Sequence, residues 1–516
     1  MRCWRSSGTW GSTSNDAGPR VSASVERGEK IVFVSKGRGK NGRGVLPLAA
    51  AIALLLFLLG GCGGGGDRHE SGSAATLDDA YVYCYPLVMM SVSQRVATNV
   101  VEATSAKVPV NQLRHAQRLA GPDFKDVVTP NVDTLYSQAF IDLKGGPLVF
   151  VKPAADRYCS AQFLDAWTNS VGIAGTGGRE GTSGEQVCLL MRSDDKTTIP
   201  AGITPFRFSG SLGWIIGRTL CRGEDDLENV RTLQKRMRLL PLADYLRGGD
   251  YVPPKGTHDP RYDNVVPVDY VLRMTPEQFF GEANALMRDN PPLPGDEPLL
   301  DGIRALGVGP GLRFDPAVLG ADAQGREAEW RAMIKRVQAR VIANSQRFLV
   351  HWGPWQYLGA PIAEFGTEYD YRAMVAWRGL GANPVSAAIY ASANKDSSGR
   401  ALKAGTRYKV RFEKGALPPV REGGFWSVTA YGDDDFLIAN PLNRYCINDR
   451  SPVTYNADGS LELLLQPEAP KDEDPLKANW LPTGQGGFHL FLRIYCPDRT
   501  RIDGGWKAPS LIPTSE

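Results

Sequence analysis

The stretch Phe425–Arg450, FWSVTAYGDDDFLIANPLNRYCINDR, constrains the fold of this chain most. Phe425 to Tyr431 is rich in aromatic and β-branched residues, and its alternate positions face opposite sides of a sheet. It reads as a strand. Gly432-Asp433-Asp434-Asp435 supplies turn chemistry, and Phe436-Leu437-Ile438 is expected to start a second strand. Asn440-Pro441 breaks that strand, because proline has no N–H to give a ladder. Arg444 and Tyr445 follow the break, a cation and a phenol placed to face a cleft.

The rest of the chain agrees with a sheet-rich body. It has 57 Gly and 36 Pro among 516 residues, which favours turns and short strands over a helical bundle. The length allows several sizeable cores. The formal charge of +3 comes from the beginning of the chain: residues 1–61 hold nine Lys/Arg and three Asp/Glu, leaving 50 basic and 53 acidic groups beyond. A nearly neutral body gives no electrostatic case for nucleic acid.

The N-terminus reads as an address. Lys36, Arg38, Lys40 and Arg43 precede an apolar run from Leu46 to Leu59, then Gly60-Gly61-Cys62. Fourteen apolar residues are short for a bilayer span, which takes about 20. A basic flank, a short apolar core and small residues make a secretory signal. Leu59-Gly60-Gly61-Cys62 resembles a bacterial lipobox, which implies lipidation at Cys62; a plain signal peptide is the alternative. Residues 62–75, rich in Gly and Ser, read as a flexible tether. Residues 1–33 look like no part of a signal, so translation is expected to begin near Val32 or Val34. Residues 1–61 are thus a non-native extension plus a lipoprotein signal peptide. Export permits disulfides, and six cysteines lie beyond Cys62, allowing 15 connectivities. None has metal-type spacing, so no metal and no cofactor are expected.

Residues 76–220 read as a β-sandwich. Thr76 and Asp79 cap an opening helix whose first part Pro86 should kink or end and which resumes on Met89, Val92, Val96 and Val100 at helical spacing; residues 111–120 are a further short helical candidate. Strands follow at 135–143, 147–152, 158–167, 186–191, 205–208 and 212–216, punctuated by Gly and Pro. Asn131, Asp133 and Tyr136 lie at the start of the first, and Asp165 near the end of the third. Residues 221–380 read as helical. Thr275 caps a helix with Pro276 at its first position, and Trp330, Met333, Ile334, Val337 and Val341 mark the apolar face of a long one from Ala323 to Arg347. Residues 381–516 return to strands, with Asp458-Gly459-Ser460 as a hairpin signal. Asn479-Trp480 is a segment where tryptophan either plugs the core or lines a pocket with Trp426 and Arg444.

TPNVDTLYS, DRYCSAQFLDAW and GRTLCRGEDDLENVRTLQ resemble the bacterial family carrying the domain of unknown function 1254. YRAMVAWRGLGAN, the Phe425–Arg450 stretch, YNADGSLELLLQ, NWLP and FHLFLRIYCPD resemble its usual partner, the domain of unknown function 1214. The resemblance implies a mainly β fold with a helical middle: an N-terminal β-sandwich, an α-helical insert and a C-terminal jelly-roll-like β-sandwich. It implies no settled activity. Cys84 and Cys446 depart from the family pattern, which raises the expectation of added disulfides. A bridge from Cys446 to Cys496 would make Phe425–Arg450 stapled structure first and a binding surface second.

No H-E-x-x-H, G-x-S-x-G or P-loop motif is present, and no two of the five histidines lie within four residues. Two readings follow. In the first, an exported envelope protein, held to the membrane by Cys62, binds a small molecule or glycan in a cleft of the sandwiches. Its candidate binding residues are Asn131, Tyr136, Arg157, Arg218, Trp426, Arg444, Tyr445, Asn479 and Trp480. In the second, Asp133 and Asp165 form the acid/base pair of a metal-independent hydrolase-like enzyme, with Arg157, Arg218 or Arg444 holding anions.

Overall fold

The computed structural model describes residues 75–125, 128–178, 181 and 183–514. The leader, the lipidation candidate Cys62 and nearly all of the tether lie outside the described residues.

The first sandwich has two sheets. One contains β1 (Arg114–His115), β2 (Thr134–Asp142), β4 (Cys159–Asp165), β5 (Ser170–Gly175) and β8 (Leu212–Leu220), in the order β1-β2-β8-β4-β5 with every neighbour antiparallel. The other contains β3 (Leu148–Lys152), β6 (Gln186–Arg192), β7 (Thr204–Phe208) and β9 (Arg238–Pro241), in the order β7-β6-β3-β9. Period-two alternation sends Ala139, Ile141, Phe163 and Ile215 from the first sheet against Phe150, Cys188, Leu190 and Phe208 from the second. The expected helix at residues 111–120 is not there. Arg114 and His115 pair instead with Gln138 and Ser137, so an edge strand takes that segment.

The second sandwich repeats the plan. β10 (Leu349–Trp352), β11 (Trp355–Leu358), β12 (Ala388–Ala393), β14 (Val420–Gly432), β15 (Cys446–Asn448) and β18 (Phe488–Pro497) form a sheet in the order β10-β11-β12-β18-β14-β15. β13 (Tyr408–Phe412), β16 (Leu461–Gln466), β17 (Trp480–Pro482) and β19 (Ser510–Pro513) form the other, in the order β17-β16-β13-β19. Val410, Leu463 and Leu465 meet Val428, Leu490 and Leu492 in the core between them. Phe436-Leu437-Ile438 is not a strand; only an isolated bridge joins Leu437 to Tyr431. The reason is Asn440. Its side-chain amide donates to the carbonyls of Ile438 and Arg444, and its oxygen accepts the N–H groups of Leu442 and Arg444. These bonds close a loop where a ladder would have continued. The strand that pairs with β14 is β15, further on. Asp458-Gly459-Ser460 does form a turn, but it leads into β16, whose partners are β13 and β17, so no hairpin forms there.

A helical body lies between. It comprises α1 (Leu77–Ala97), α4 (Pro267–Arg273), α5 (Pro276–Asp289), α6 (Glu297–Arg304), α7 (Ala323–Ser345) and α8 (Tyr369–Arg378), while α2 (Leu227–Lys235) and α3 (Leu242–Arg247) adjoin the first sandwich and α9 (Arg499–Asp503) the second. α1 opens with a Thr76/Asp79 capping box and continues unbroken through Pro86. Residues 79–93 are all buried, so packing on every side holds the turn that proline would otherwise open. Tyr81 stacks on Phe279 of α5 at 4.5 Å and meets the edge of Trp330 of α7 at 5.3 Å. The chain between the sandwiches also supplies edge strands to both, β9 to the first and the β10–β11 hairpin to the second.

The six described cysteines form no disulfide with one another. The Cys446–Cys496 bridge raised as one alternative is absent for a topological reason. Cys446 sits opposite Thr429, and Thr429 lies opposite Phe491, five positions along β18 from Cys496.

Candidate functional site

The sheet faces turned away from the sandwich cores meet each other, and they are polar. On the first sandwich, alternate residues Tyr136 and Gln138, Ser160 and Gln162, and Arg218 share one face. On the second, Ser427, Thr429 and Tyr431 of β14 lie beside Phe491, Arg493 and Tyr495 of β18. Faces of this pattern usually meet water. Here Arg218, Gln162, Ser427 and Thr429 are fully buried and Arg493 is 3% exposed, so the two sandwiches enclose a polar seam.

At one end of the seam stands Asp133, 1% exposed. Its carboxylate accepts a hydrogen bond from Ser427 Oγ at 2.6 Å, from Asn448 Nδ2 at 3.4 Å and from Arg450 at 3.2 Å. Asn131 sets this geometry. Its oxygen accepts the N–H groups of Asp133 and Thr134, and its amide donates to Tyr495 Oη at 2.6 Å. Arg493 donates to Thr429 Oγ1, Tyr431 Oη and the Thr129 carbonyl. Asp449 is ion-paired with Arg450, and burial pushes its carboxyl up to about 6. The Cys446 thiol, 3.9 Å from Asp133, is also raised by burial and by that carboxylate, so it is no nucleophile at neutral pH.

Deeper in the seam, Arg218 is the group with the least compensation. It is fully buried and makes no ion pair with a described residue. Its hydrogen bonds go to neutral oxygens, Gln162 Oε1, Asn383 Oδ1 and the Gly381 carbonyl, each at 3.3 Å, and its Nε–H has no acceptor. Gly381 has φ +88°, and a Cβ there would stand 2.7 Å from Ile216. A glycine is therefore what lets that carbonyl come close enough. Tyr136, Tyr158, Tyr390 and Tyr495 surround the guanidinium, with Tyr136 facing it at 5.6 Å. Asn383 Nδ2 donates to Tyr390 Oη at 2.7 Å. The seam thus holds the guanidiniums of Arg218, Arg450 and Arg493 against the carboxyls of Asp133 and Asp449.

Both faces of this seam lie in segments that match family models. Residues 110–241 match the model described as protein of unknown function (DUF1254), and residues 387–499 match that described as protein of unknown function (DUF1214). No curated protein matches the chain. Among solved structures, the VPA0106 protein from Vibrio parahaemolyticus is 20% identical, with a TM-score of 0.63 over 85% of this chain and 98% of that one. The likeness shows a shared fold. An uncharacterized protein from Burkholderia cenocepacia, 12% identical, covers 84% of this chain and 88% of its own with a TM-score of 0.35, which is too low to carry an argument.

Asn131, Asp133, Tyr136 and Arg218 therefore come together, as candidate residues of one site. Asp165 does not join them. Asp133 precedes Thr134, which pairs with Leu220, whereas Asp165 pairs with Gly213, seven positions away along β8 or roughly 23 Å. Asp165 instead accepts the N–H groups of Trp167 and Asn169, and burial pushes its carboxyl up to about 6. Near it, Arg372 is fully buried, with its three guanidinium nitrogens free of hydrogen bonds and lying over Tyr83, Trp167 and Tyr369 at 5.2–5.4 Å.

The other candidates scatter. Arg157 is neutralised by Asp226 and Asp156. Trp426 points into the second sandwich's core, 5.3 Å from Phe412. Arg444 does meet the Asn479-Trp480 segment, donating to the carbonyls of Ala478 and Trp480, and Tyr445 bonds to Asn443. Asn479 is fully buried and serves the backbone, bonding Thr454 twice and the Glu462 carbonyl, while Trp480 donates to the Gln466 carbonyl. The residues that sequence reasoning did not single out are Gln162, Asn383, Tyr390, Ser427, Asn448, Arg450, Arg493 and Tyr495. For Ser427 of β14 and for Arg493 and Tyr495 of β18, the signal was the polar member of each alternating pair.

Proposed function

We propose that this chain is an exported, lipid-anchored bacterial envelope protein that binds a small anionic molecule, an acidic sugar of a glycan included, between its two sandwiches. One observation carries the ligand's charge: Arg218 is buried among four tyrosines with neutral acceptors alone and one N–H bare. A buried guanidinium without a counter-ion is costly, and an incoming carboxylate relieves that cost while tyrosine hydroxyls supply further donors. Entry lies at the part-exposed end, where Asn131, Cys446, Asn448 and Arg450 line the rim. The lipobox-like Cys62 supports the anchor, and no helix among the described residues is long and apolar enough to cross a membrane.

A panel of small carboxylates, acidic sugars and their neutral analogues tests the reading by thermal shift on the full chain. A ligand at 100 times its Kd adds about 2.7 kcal/mol of stability. Acids should raise the Tm, and Arg218→Gln should weaken the response; neutral analogues acting as well as acids would overturn the reading. For the anchor, Cys62→Ser should release the protein from the membrane fraction. The acid/base reading needs two carboxyls about 5–9.5 Å apart, and the register of β2 and β4 on β8 does not bring Asp133 and Asp165 to that range.

A further inference from the structure

A concavity lies outside the seam. A cavity of about 310 Å³ opens at one end of the second sandwich. Its floor is apolar, made by Leu417, Val420 and Leu461, and its rim carries Tyr455, Glu413 and Arg501. These rim groups are not equivalent. Glu413 is engaged by Arg411 at 3.0 Å. The Arg501 guanidinium makes no hydrogen bond or ion pair with a described residue; only its backbone is used, its N–H capping α9 on Asp498 at 3.2 Å and its carbonyl accepting the Trp506 N–H at 3.2 Å. The Tyr455 side chain is 50% exposed and its ring touches no other described ring.

The walls are fixed before any ligand arrives. Asn479 clamps Thr454, the neighbour of Tyr455, through both its N–H and its carbonyl at 2.7 Å. Trp506 Nε1 donates to the Ala416 carbonyl at 2.9 Å, and the Asp498 N–H donates to the Pro419 carbonyl at 2.9 Å. A preformed apolar floor, one open aromatic face and one uncommitted guanidinium match a particular ligand shape.

We propose that this cavity binds a ring-bearing monocarboxylate, its ring on Tyr455 and the apolar floor and its carboxylate in the fork of Arg501. A uronic acid sugar and an aromatic acid share that chemistry. The proposal is independent of the seam, because Arg501 and Tyr455 belong to α9 and to the loop before β16.

The test is isothermal titration of the full chain with sodium glucuronate, sodium benzoate, glucose and benzyl alcohol. One of the two carboxylates is expected to bind saturably. Saturation by glucuronate assigns a sugar acid, and saturation by benzoate an aromatic acid. Arg501→Gln should weaken that binding at least tenfold and Tyr455→Ala severalfold, both with an unchanged Tm, since each side chain is at the surface. Binding by neither carboxylate, equal binding of the neutral rings, or an Arg501→Gln protein that keeps its affinity would overturn the proposal. The last outcome would place the anion at the seam.

Discussion

Ser427 donates a hydrogen bond to Asp133 at 2.6 Å across 294 residues of sequence, and so fastens the second sandwich to the first. Asp133 also receives Arg450, and it is buried, so removing its carboxyl leaves several donors without an acceptor. Asp133→Ala should cost about 3 kcal/mol and Ser427→Ala about 1 kcal/mol. Urea unfolding with an unchanged m-value measures both, and the double variant should cost less than the sum of the singles.

Asp165 makes stability depend on pH. Burial raises its carboxyl to about 6 in the folded protein, against an ordinary 3.8. Between those values the folded state binds more protons than the unfolded one, so this group's contribution is fully present below pH 3.8 and is lost as pH rises through 6. At about 1.4 kcal/mol per pH unit, the loss is roughly 3 kcal/mol at most. Asp165→Asn keeps an oxygen for the Trp167 and Asn169 N–H groups. It should flatten the pH 4–6 limb of the stability curve, and an unchanged limb would remove Asp165 as the titrating group.

The free thiols make a chemical prediction. Cys84, Cys159, Cys188, Cys221 and Cys496 are buried, and burial raises the Cys84, Cys159 and Cys221 thiols, pushing Cys496 up to about 11. Native protein should leave these five unlabelled by a thiol reagent, denatured protein should label all of them, and dithiothreitol should not shift the Tm.

Asn479 tests the difference between a binding residue and a clamp. It makes three bonds of 2.7–2.8 Å to the backbone at Thr454 and Glu462. Asn479→Ala should cost about 2–3 kcal/mol of stability by leaving buried backbone groups without partners. The Arg218-dependent rise in Tm that small carboxylates produce should not change, because Asn479 takes no part in the seam.

The strands were legible because alternation and Gly/Pro punctuation are local. The caps at Thr76 and Thr275 and the apolar stripe of α7 were legible for the same reason. The errors were of another kind. Pro86 reads as a kink or a stop between two parts of a helix unless one knows that α1 is buried on every side. Phe436-Leu437-Ile438 reads as a strand unless Asn440's bonds are seen. Asp133 and Asp165 each stand at a strand end, so they read as a pair. β2 and β4 are both antiparallel to β8 and therefore run in the same direction. Asp133 precedes one and Asp165 ends the other, so they lie at opposite ends of the strands. The seam was hidden because a polar face waiting for water and a polar face waiting for another sheet have the same one-dimensional pattern.

That buried polar face limits how the gene can be divided. Residues 110–241 carry Arg218 and residues 387–499 carry Arg493, and each is met by residues of the other segment: Tyr390 and Tyr495 lie against Arg218, and the Thr129 carbonyl of the first segment accepts from Arg493. A fragment cut at either boundary would carry a wet, charged sheet face with nothing to recognise it. The two segments must travel together through duplication and fusion, and swapping one for a stranger would require rewriting both surfaces at once.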